Sequence, residues 1–440
     1  MQTPIIDFVK KYADKNGVRA HMPAHKGKSL IGVEKYDITE ISGADVLYNA
    51  GGIIKQSQAN ATKLFNTCAT FYSTEGSSLC IKAMLHLVSK GKRNPTVLAL
   101  RNAHKTFVYG CALLGIEPIW VYPKNGGHLC ECNVSAEDVD EALTSLDEKP
   151  CAVYVTSPDY LGNVLDIRGI SAVCDKHDVP LIVDNAHGAY LAFLEENLHP
   201  IFLGATMCCD SSHKTLSSLT GGAYLHIRKK GEKFVNGAQS SLSLFASTSP
   251  SYLILQSLDL VNADVEKNLK RFEEVKERVE KIRTSLENNG FVCVGNEPFK
   301  LTIDLIKSSV LSQNLAYVLD KYDIECEMLD DEFAVFMFST CSKGSDFDSV
   351  EKAIKSVERA QRNAKECAFD KPKKVLSVRE AIMSESEVIS VSASLNRICA
   401  SPTVSCPPAI PIVVSGERIS AQSIALFNRY GISTIEVVKE

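Results

Sequence analysis

The chain has 440 residues, a formal net charge of −5, 45% hydrophobic residues and 23% charged residues. That length exceeds one ordinary core, so two or three domains are expected, with the composition of a globular protein. Lys and Arg are spread along the chain without a basic stripe, which argues against a nucleic-acid surface, and no run nears the roughly 18 apolar residues that cross a bilayer.

In chain order, Ser73-Thr-Glu-Gly76-Ser77-Ser78 precedes an apolar helical stretch, Leu79–Val88. Short apolar runs then predict strands at Thr96–Leu100, Ile119–Tyr122, Ala152–Thr156, Leu181–Asp184, Ala205–Cys209 and Ala223–Ile227. Several are apolar throughout, as strands covered by helices on both faces are. Helical segments fall between them, one around Ile170–His177, and this alternation predicts a largely parallel α/β sheet. From Leu269 to Leu286 apolar residues recur every three or four positions and stop at Asn288-Asn-Gly290, which predicts a long amphipathic helix linking a large domain to a small one. Strands at Leu301–Leu305 and Ala334–Phe338 with a helix at Leu311–Tyr322 suggest a smaller α+β domain, and Asp370-Lys-Pro-Lys-Lys marks a further boundary. The expected organisation is an N-terminal arm (1–45), a large α/β domain (46–262), a small α+β domain (263–370) and a short C-terminal unit (371–440).

The opening MQTPIIDFVKKYADKNG lacks the apolar core and cleavage pattern of a secretion signal. Fifteen cysteines, odd in number and often inside apolar runs, read as small core residues of a cytoplasmic protein rather than a disulfide framework. His128-Leu-Cys130-Glu-Cys132 is the one local cluster with metal-ligand chemistry, but it lacks a CxxC spacing and a second ligand pair, so a reduced loop is expected and no metal.

Four segments carry chemistry. Asp210-Ser-Ser-His-Lys214-Thr follows a strand, where a desolvated lysine becomes a nucleophile toward carbonyls and forms Schiff bases; the competing reading is a solvated loop lysine. Ser211 and His213 beside it offer donors for a phosphate. Leu181-Ile-Val-Asp184-Asn-Ala-His187 ends a buried strand in a carboxylate, at the sheet edge where α/β ligands bind. Pyridoxal 5′-phosphate (PLP) needs such a carboxylate at its ring nitrogen, and the 30 residues separating Asp184 from Lys214 allow one helix and a return strand. Gly76-Ser77-Ser78 opens a helix and suits an anion, although capping alone explains serine there. His104, after another strand, can lie flat on an aromatic cofactor ring or serve structure alone.

Together these segments resemble the bacterial ornithine/lysine/arginine decarboxylase family of fold type I PLP enzymes, nearly end to end. The resemblance is carried by His21-Met-Pro-Ala-His25-Lys-Gly, Asp37-Ile-Thr-Glu-Ile-Ser-Gly-Ala-Asp45-Val-Leu, Asp184 to Gly188, Ser212-His213-Lys214, Thr248-Ser-Pro-Ser-Tyr252, and Cys406-Pro-Pro-Ala-Ile-Pro with Gly416-Glu417. It implies an aspartate-aminotransferase-like α/β fold, with Lys214 as the Schiff-base lysine, Asp184 at the pyridine nitrogen, His104 stacked over the ring and Ala186 beneath it. Gly76, Ser77, Ser78, Ser211 and His213 would hold the phosphate, with His187 near the ring. Family sites lie at a homodimer interface, so Thr248 and Ser249 would approach the partner's phosphate. The strand–helix order starts close to residue 1, which leaves no room for the N-terminal wing of larger, decameric members; a dimer or small assembly of dimers is expected. The sequence departs from the family at Ala24, Ala409 (usually glycines), Asn185 (usually glutamate), the Glu75-Gly-Ser-Ser loop, and Gly221-Gly222, where a glutamine often occurs.

PLP chemistry breaks the bond held perpendicular to its π system. A transaminase commonly clamps the α-carboxylate with an arginine; a decarboxylase leaves it free to depart as CO2. Phe333 to Ser342 contains no arginine and the first after Lys214 is Arg228, which favours decarboxylation. The expected substrate is arginine, lysine or ornithine, giving a polyamine-type amine, with Lys214 or His213 returning a proton to Cα. Glu325 and Glu327, in one acidic loop with Asp330 and Asp331, are candidates for the substrate's distal cation. Alternatives are a PLP aminotransferase or lyase, and a catalytically faded homodimer with a binding role.

Overall fold

A computed structural model describes residues 1–15, 17–124, 128–360, 371–402 and 409–440; Cys406-Pro-Pro and the boundary at Asp370 lie outside the described residues. The chain divides into two compact units, residues 1–98, 140–155 and 167–269, and residues 99–139, 156–166 and 270–440. Among the described residues no helix is long and apolar enough to cross a membrane, and all thirteen described cysteines are free thiols.

The α/β strands are β1 (Ala69–Ser73), β2 (Thr96–Leu100), β3 (Glu117–Val121), β4 (Val153–Thr156), β5 (Leu181–Asp184), β6 (Met207–Asp210) and β7 (Ala223–Ile227). In the first unit six of them lie side by side in a mostly parallel sheet, in the order β1-β7-β6-β5-β4-β2. β5 and β6 are parallel with Asp184 opposite Cys209, while β7 is antiparallel to both β6 and β1. Leu181, Ile182, Val183, Met207, Cys208 and Cys209 are wholly buried, which explains why these strands read as unbroken apolar runs.

β2, β5 and β7 coincide with predicted strands, whereas β6 begins two residues later than expected and takes in Asp210. β1 and the helix Tyr252–Lys267 are not among the predicted elements. Ala-Thr-Phe-Tyr-Ser has no apolar run to signal a strand; it pairs antiparallel with β7, and its buried Thr70 Oγ1 hydrogen-bonds His226 Nδ1 at 2.9 Å.

In the second unit the amphipathic helix spans Lys270–Glu287 and buries Phe272, Val275, Val279, Ile282 and Leu286, the residues whose spacing predicts it. A four-stranded antiparallel sheet follows, ordered Met328–Leu329, Phe333–Met337, Lys300–Asp304 and Cys293–Val294, with helices Ser312–Lys321 and Gly344–Lys355. Ser386–Ser390 pairs antiparallel with Thr434–Val438. Cys130 and Cys399 pack with Phe333, Phe427 and Val437 in this unit's apolar core, as expected of reduced cysteines. His128 is committed to structure, since its Nδ1 accepts from Cys130 N at 3.2 Å and its Nε2 meets the Tyr430 hydroxyl at 2.9 Å.

Candidate active site

The parallel pairing of β5 and β6 sends their following segments off the same carboxyl edge. After β6, Ser212–Thr215 makes a single helical turn carrying Lys214. After β5 the chain turns at Gly188, where a Cβ would collide with Asn185 Oδ1, and presents His187. Lys214 Nζ and His187 Nε2 meet at 2.9 Å. A lysine amine hydrogen-bonded to an imidazole at a sheet edge has a partner that can take up or return its proton. His213 donates from Nδ1 to the Gly222 carbonyl at 3.0 Å, and burial lowers its pKa against a smaller opposing effect of that carbonyl. Its neutral form, with Nε2 as an acceptor, is therefore favoured.

Asp184, 3% exposed, closes β5. Its Oδ2 accepts from the Tyr154 hydroxyl at 3.1 Å, and its Oδ1 from Ala186 N at 3.2 Å and Cys209 Sγ at 3.6 Å. Three donors satisfy this carboxyl away from water.

Nearby in sequence order, Gly76–Ser89 begins without a side-chain cap at Glu75. Gly76 is left-handed at φ +71°, and an added Cβ would meet no atom within 4 Å. Ser211 Oγ donates to Ser77 Oγ at 2.9 Å, which ties the Lys214 turn to this helix start. A helix start without a side-chain cap, the Ser77 and Ser211 hydroxyls and open space over a glycine are features that suit an anion such as a phosphate. Gly221 holds this loop from the other side, with its carbonyl accepting from Gly76 N at 2.8 Å. At φ +96°, with a Cβ only 2.8 Å from the Thr74 carbonyl, the position admits glycine alone, so its departure from the family pattern has a steric reason. Thr248 and Ser249 lie exposed in a loop whose Ser247 N donates to Glu75 at 2.8 Å. The amine, the carboxylate and the anion cradle thus all belong to the first unit, and their chemistry fits PLP's aldehyde, ring nitrogen and phosphate.

Asn185, the other departure close to the site, is explained by Asp210. Asn185 Nδ2 donates to Asp210 Oδ1 at 2.7 Å, while His199 Nε2 and His226 Nε2 contact Oδ2 at 2.9 and 3.1 Å. Burial would raise Asp210, but the charges and hydrogen bonds of the two histidines hold its carboxyl well below the usual range. A glutamate at 185 would set a second carboxylate against it in a fully buried pocket. His199, Cys208 and Asp210 form the only group among the described residues close enough to share a metal ion, yet these atoms already bond one another.

In the second unit His104 caps helix Lys105–Leu114, its Nδ1 accepting from Thr106 N at 3.2 Å. Lys105 N donates to the Ala409 carbonyl at 3.0 Å, and Ala409 is left-handed at φ +58°. An alanine there carries the strain that a glycine avoids, so Ala409→Gly is expected to stabilise the protein by about 1 kcal/mol in denaturant unfolding. Glu325, Glu327, Asp330 and Asp331 line one cavity of about 760 Å³ with Asp320 and Arg429, and Tyr160 donates to Glu327 at 2.6 Å.

Tyr154, Cys209, Asp210, His199, His226 and Gly221 were not recognisable as site residues from sequence. Asp210 lies within the Lys214 segment, but its role depends on donors from β7 and from the loop after β5.

The chain is 29% identical to the arginine decarboxylase of Bacillus subtilis, over 96% of this chain and 92% of that protein. It is 27% identical to the arginine decarboxylase of Halalkalibacterium halodurans, over 100% and 98%. The solved lysine decarboxylase of Francisella novicida superposes with a TM-score of 0.81 at 17% identity, covering 99% of this chain and 81% of that one, which shows the shared fold. The Orn/Lys/Arg decarboxylase major domain matches residues 3–321, and the C-terminal domain of the same family matches residues 358–430. With both family domains matched in sequence order, the chain belongs to the Orn/Lys/Arg decarboxylase family of amino-acid decarboxylases.

Proposed function

We propose that this protein removes CO2 from a basic amino acid, arginine, lysine or ornithine, using PLP held by Lys214. The observation that carries the reading is the Lys214 amine, 2.9 Å from His187, at the same sheet edge as the buried Asp184 carboxylate. The substrate class is supported by relatives that bear the names arginine and lysine decarboxylase.

When bound, PLP supplies an electron sink for the charge left at Cα as CO2 departs. The protein's own groups do the rest. Gly76, Ser77, Ser78 and Ser211 would hold the phosphate, Asp184 the ring nitrogen, and Ala186 would pack against the ring; His213, whose N and Nδ1 both donate to the Gly222 carbonyl, would join the phosphate site only with Nε2 protonated. His187 exchanges a proton with the Lys214 amine and Lys214 returns one to Cα; neutral His213, its Nδ1 proton donated to the Gly222 carbonyl, has none to give until Nε2 takes one up. The roles of His104 in stacking on the ring and of Glu325 and Glu327 toward the distal cation rest on the family resemblance and on residue type. The same reading makes the active species a cytoplasmic homodimer with Thr248 and Ser249 at the partner's phosphate, and keeps the four-segment domain division drawn from the sequence.

Purified protein given PLP should gain a visible absorption band, and CO2 release from arginine, lysine and ornithine assayed in parallel should single out one of them. A visible band with no CO2 from any of the three, but amino-group transfer to a keto acid, would make the protein a transaminase instead.

A further inference from the structure

We infer that Tyr154 is a positioning residue that, with Cys209, fixes the Asp184 carboxylate and directs its open acceptor direction toward the PLP ring nitrogen. This rests on the reading of Asp184 as the partner of the PLP ring nitrogen.

A carboxylate offers about two acceptor directions on each oxygen. On Asp184 Oδ1 both are used, by Ala186 N at 3.2 Å and Cys209 Sγ at 3.6 Å. On Oδ2 one is used, by the Tyr154 hydroxyl at 3.1 Å. Among the described residues, one direction on Oδ2 remains, which suits one ring N–H.

Each donor is fixed by the sheet. Cys209 is the register partner of Asp184 across β5 and β6, so its thiol is delivered by strand pairing alone. Burial raises the Cys209 thiol well above its ordinary pKa, so it remains an S–H donor and brings no competing negative charge. Tyr154 lies in the middle of β4 and is wholly buried.

Donors to an ionised carboxylate stabilise its charge and lower its proton affinity. A proton shared with a bound ring would then be favoured on the ring nitrogen, which is what lets PLP supply an electron sink. Removing the phenol would take one donor from the Asp184 carboxylate, draw a proton shared with the ring toward oxygen and weaken the ring's pull on the nitrogen of Lys214. The visible band of PLP-loaded protein would then titrate at higher pH.

The test is a pH titration of the visible band of PLP-loaded protein, with thermal melting in parallel. Tyr154→Phe should raise the midpoint by about half a unit to one unit, a fraction of what one lost hydrogen bond imposes on a charged group. Cys209→Ser, which keeps a donor, should titrate like the parent. Should Tyr154→Phe not fold, 3,5-difluorotyrosine at position 154, a stronger donor of nearly the same shape, should lower the midpoint. If either Tyr154 replacement titrates like the parent while Asp184→Ala is shifted, Tyr154 is only a core residue and the inference is overturned with the PLP reading intact. If the parent gains no visible band, or Asp184→Ala leaves its titration unchanged, the reading of Asp184 itself falls.

Discussion

Lys214→Ala is expected to fold like the parent but to hold no covalent PLP: no visible band, no pyridoxyl group retained after borohydride reduction, and CO2 release lowered by at least about 10²–10⁴-fold. That range is what a single positioned proton donor supplies, and loss of the nucleophile that attaches the cofactor adds to it. The stability change should be small, since the half-buried amine gives up only the contact to His187 and others of similar kind. His187→Gln should be milder, because it retains a polar partner for the amine and removes only the group that exchanges its proton. Parent-like turnover by Lys214→Ala would sink the proposed function outright.

The second large effect concerns folding rather than chemistry. Asp210→Ala would strip the common acceptor from three buried donors, on Asn185, His199 and His226. Leaving such groups unpaired is expected to cost about 3–5 kcal/mol, read as a lower denaturant midpoint. Asn185→Asp tests the same network with opposite pH behaviour. In the parent, Asp210 is held below the usual carboxylate range, so its contribution is complete above about pH 4, the ordinary carboxylate value, and fades only as pH falls below it. In Asn185→Asp two buried carboxylates face each other, and one is pushed above its ordinary pKa. The folded variant then binds more protons than the unfolded chain between about pH 4 and that raised value, so the destabilisation relative to the parent is largest at pH 7 and shrinks on acidification. Equal stability of variant and parent at pH 7 would show that Asp210 and residue 185 do not share one pocket.

The mutations also mark how far sequence alone reaches. Lys214, Asp184 and the Gly76-Ser77-Ser78 helix start are legible because each follows or opens an element whose apolar pattern is local, and because their side chains have few other uses at a strand end. The amphipathic helix Lys270–Glu287 is legible for the same reason, its apolar stripe recurring every three to four residues. The acidic residues from Glu325 to Asp331 could be grouped from the sequence, but only the fold shows them around one cavity.

The amino-acid sequence by itself therefore determined which strands are buried on both faces, which lysine and which carboxylate stand at their ends, and the family to which those motifs belong. Tertiary structure alone decided which groups surround them. Tyr154 reaches Asp184 from β4 and His226 reaches Asp210 from β7, so each depends on the sheet order β7-β6-β5-β4, which no periodicity along the chain encodes. Asn185 and Gly221 read as departures from a motif until the buried carboxylate of Asp210 and the carbonyl of Thr74 are found against them. Like-charge repulsion and hard-sphere contact act through space, and a residue's spatial neighbours are fixed only once the strands have paired.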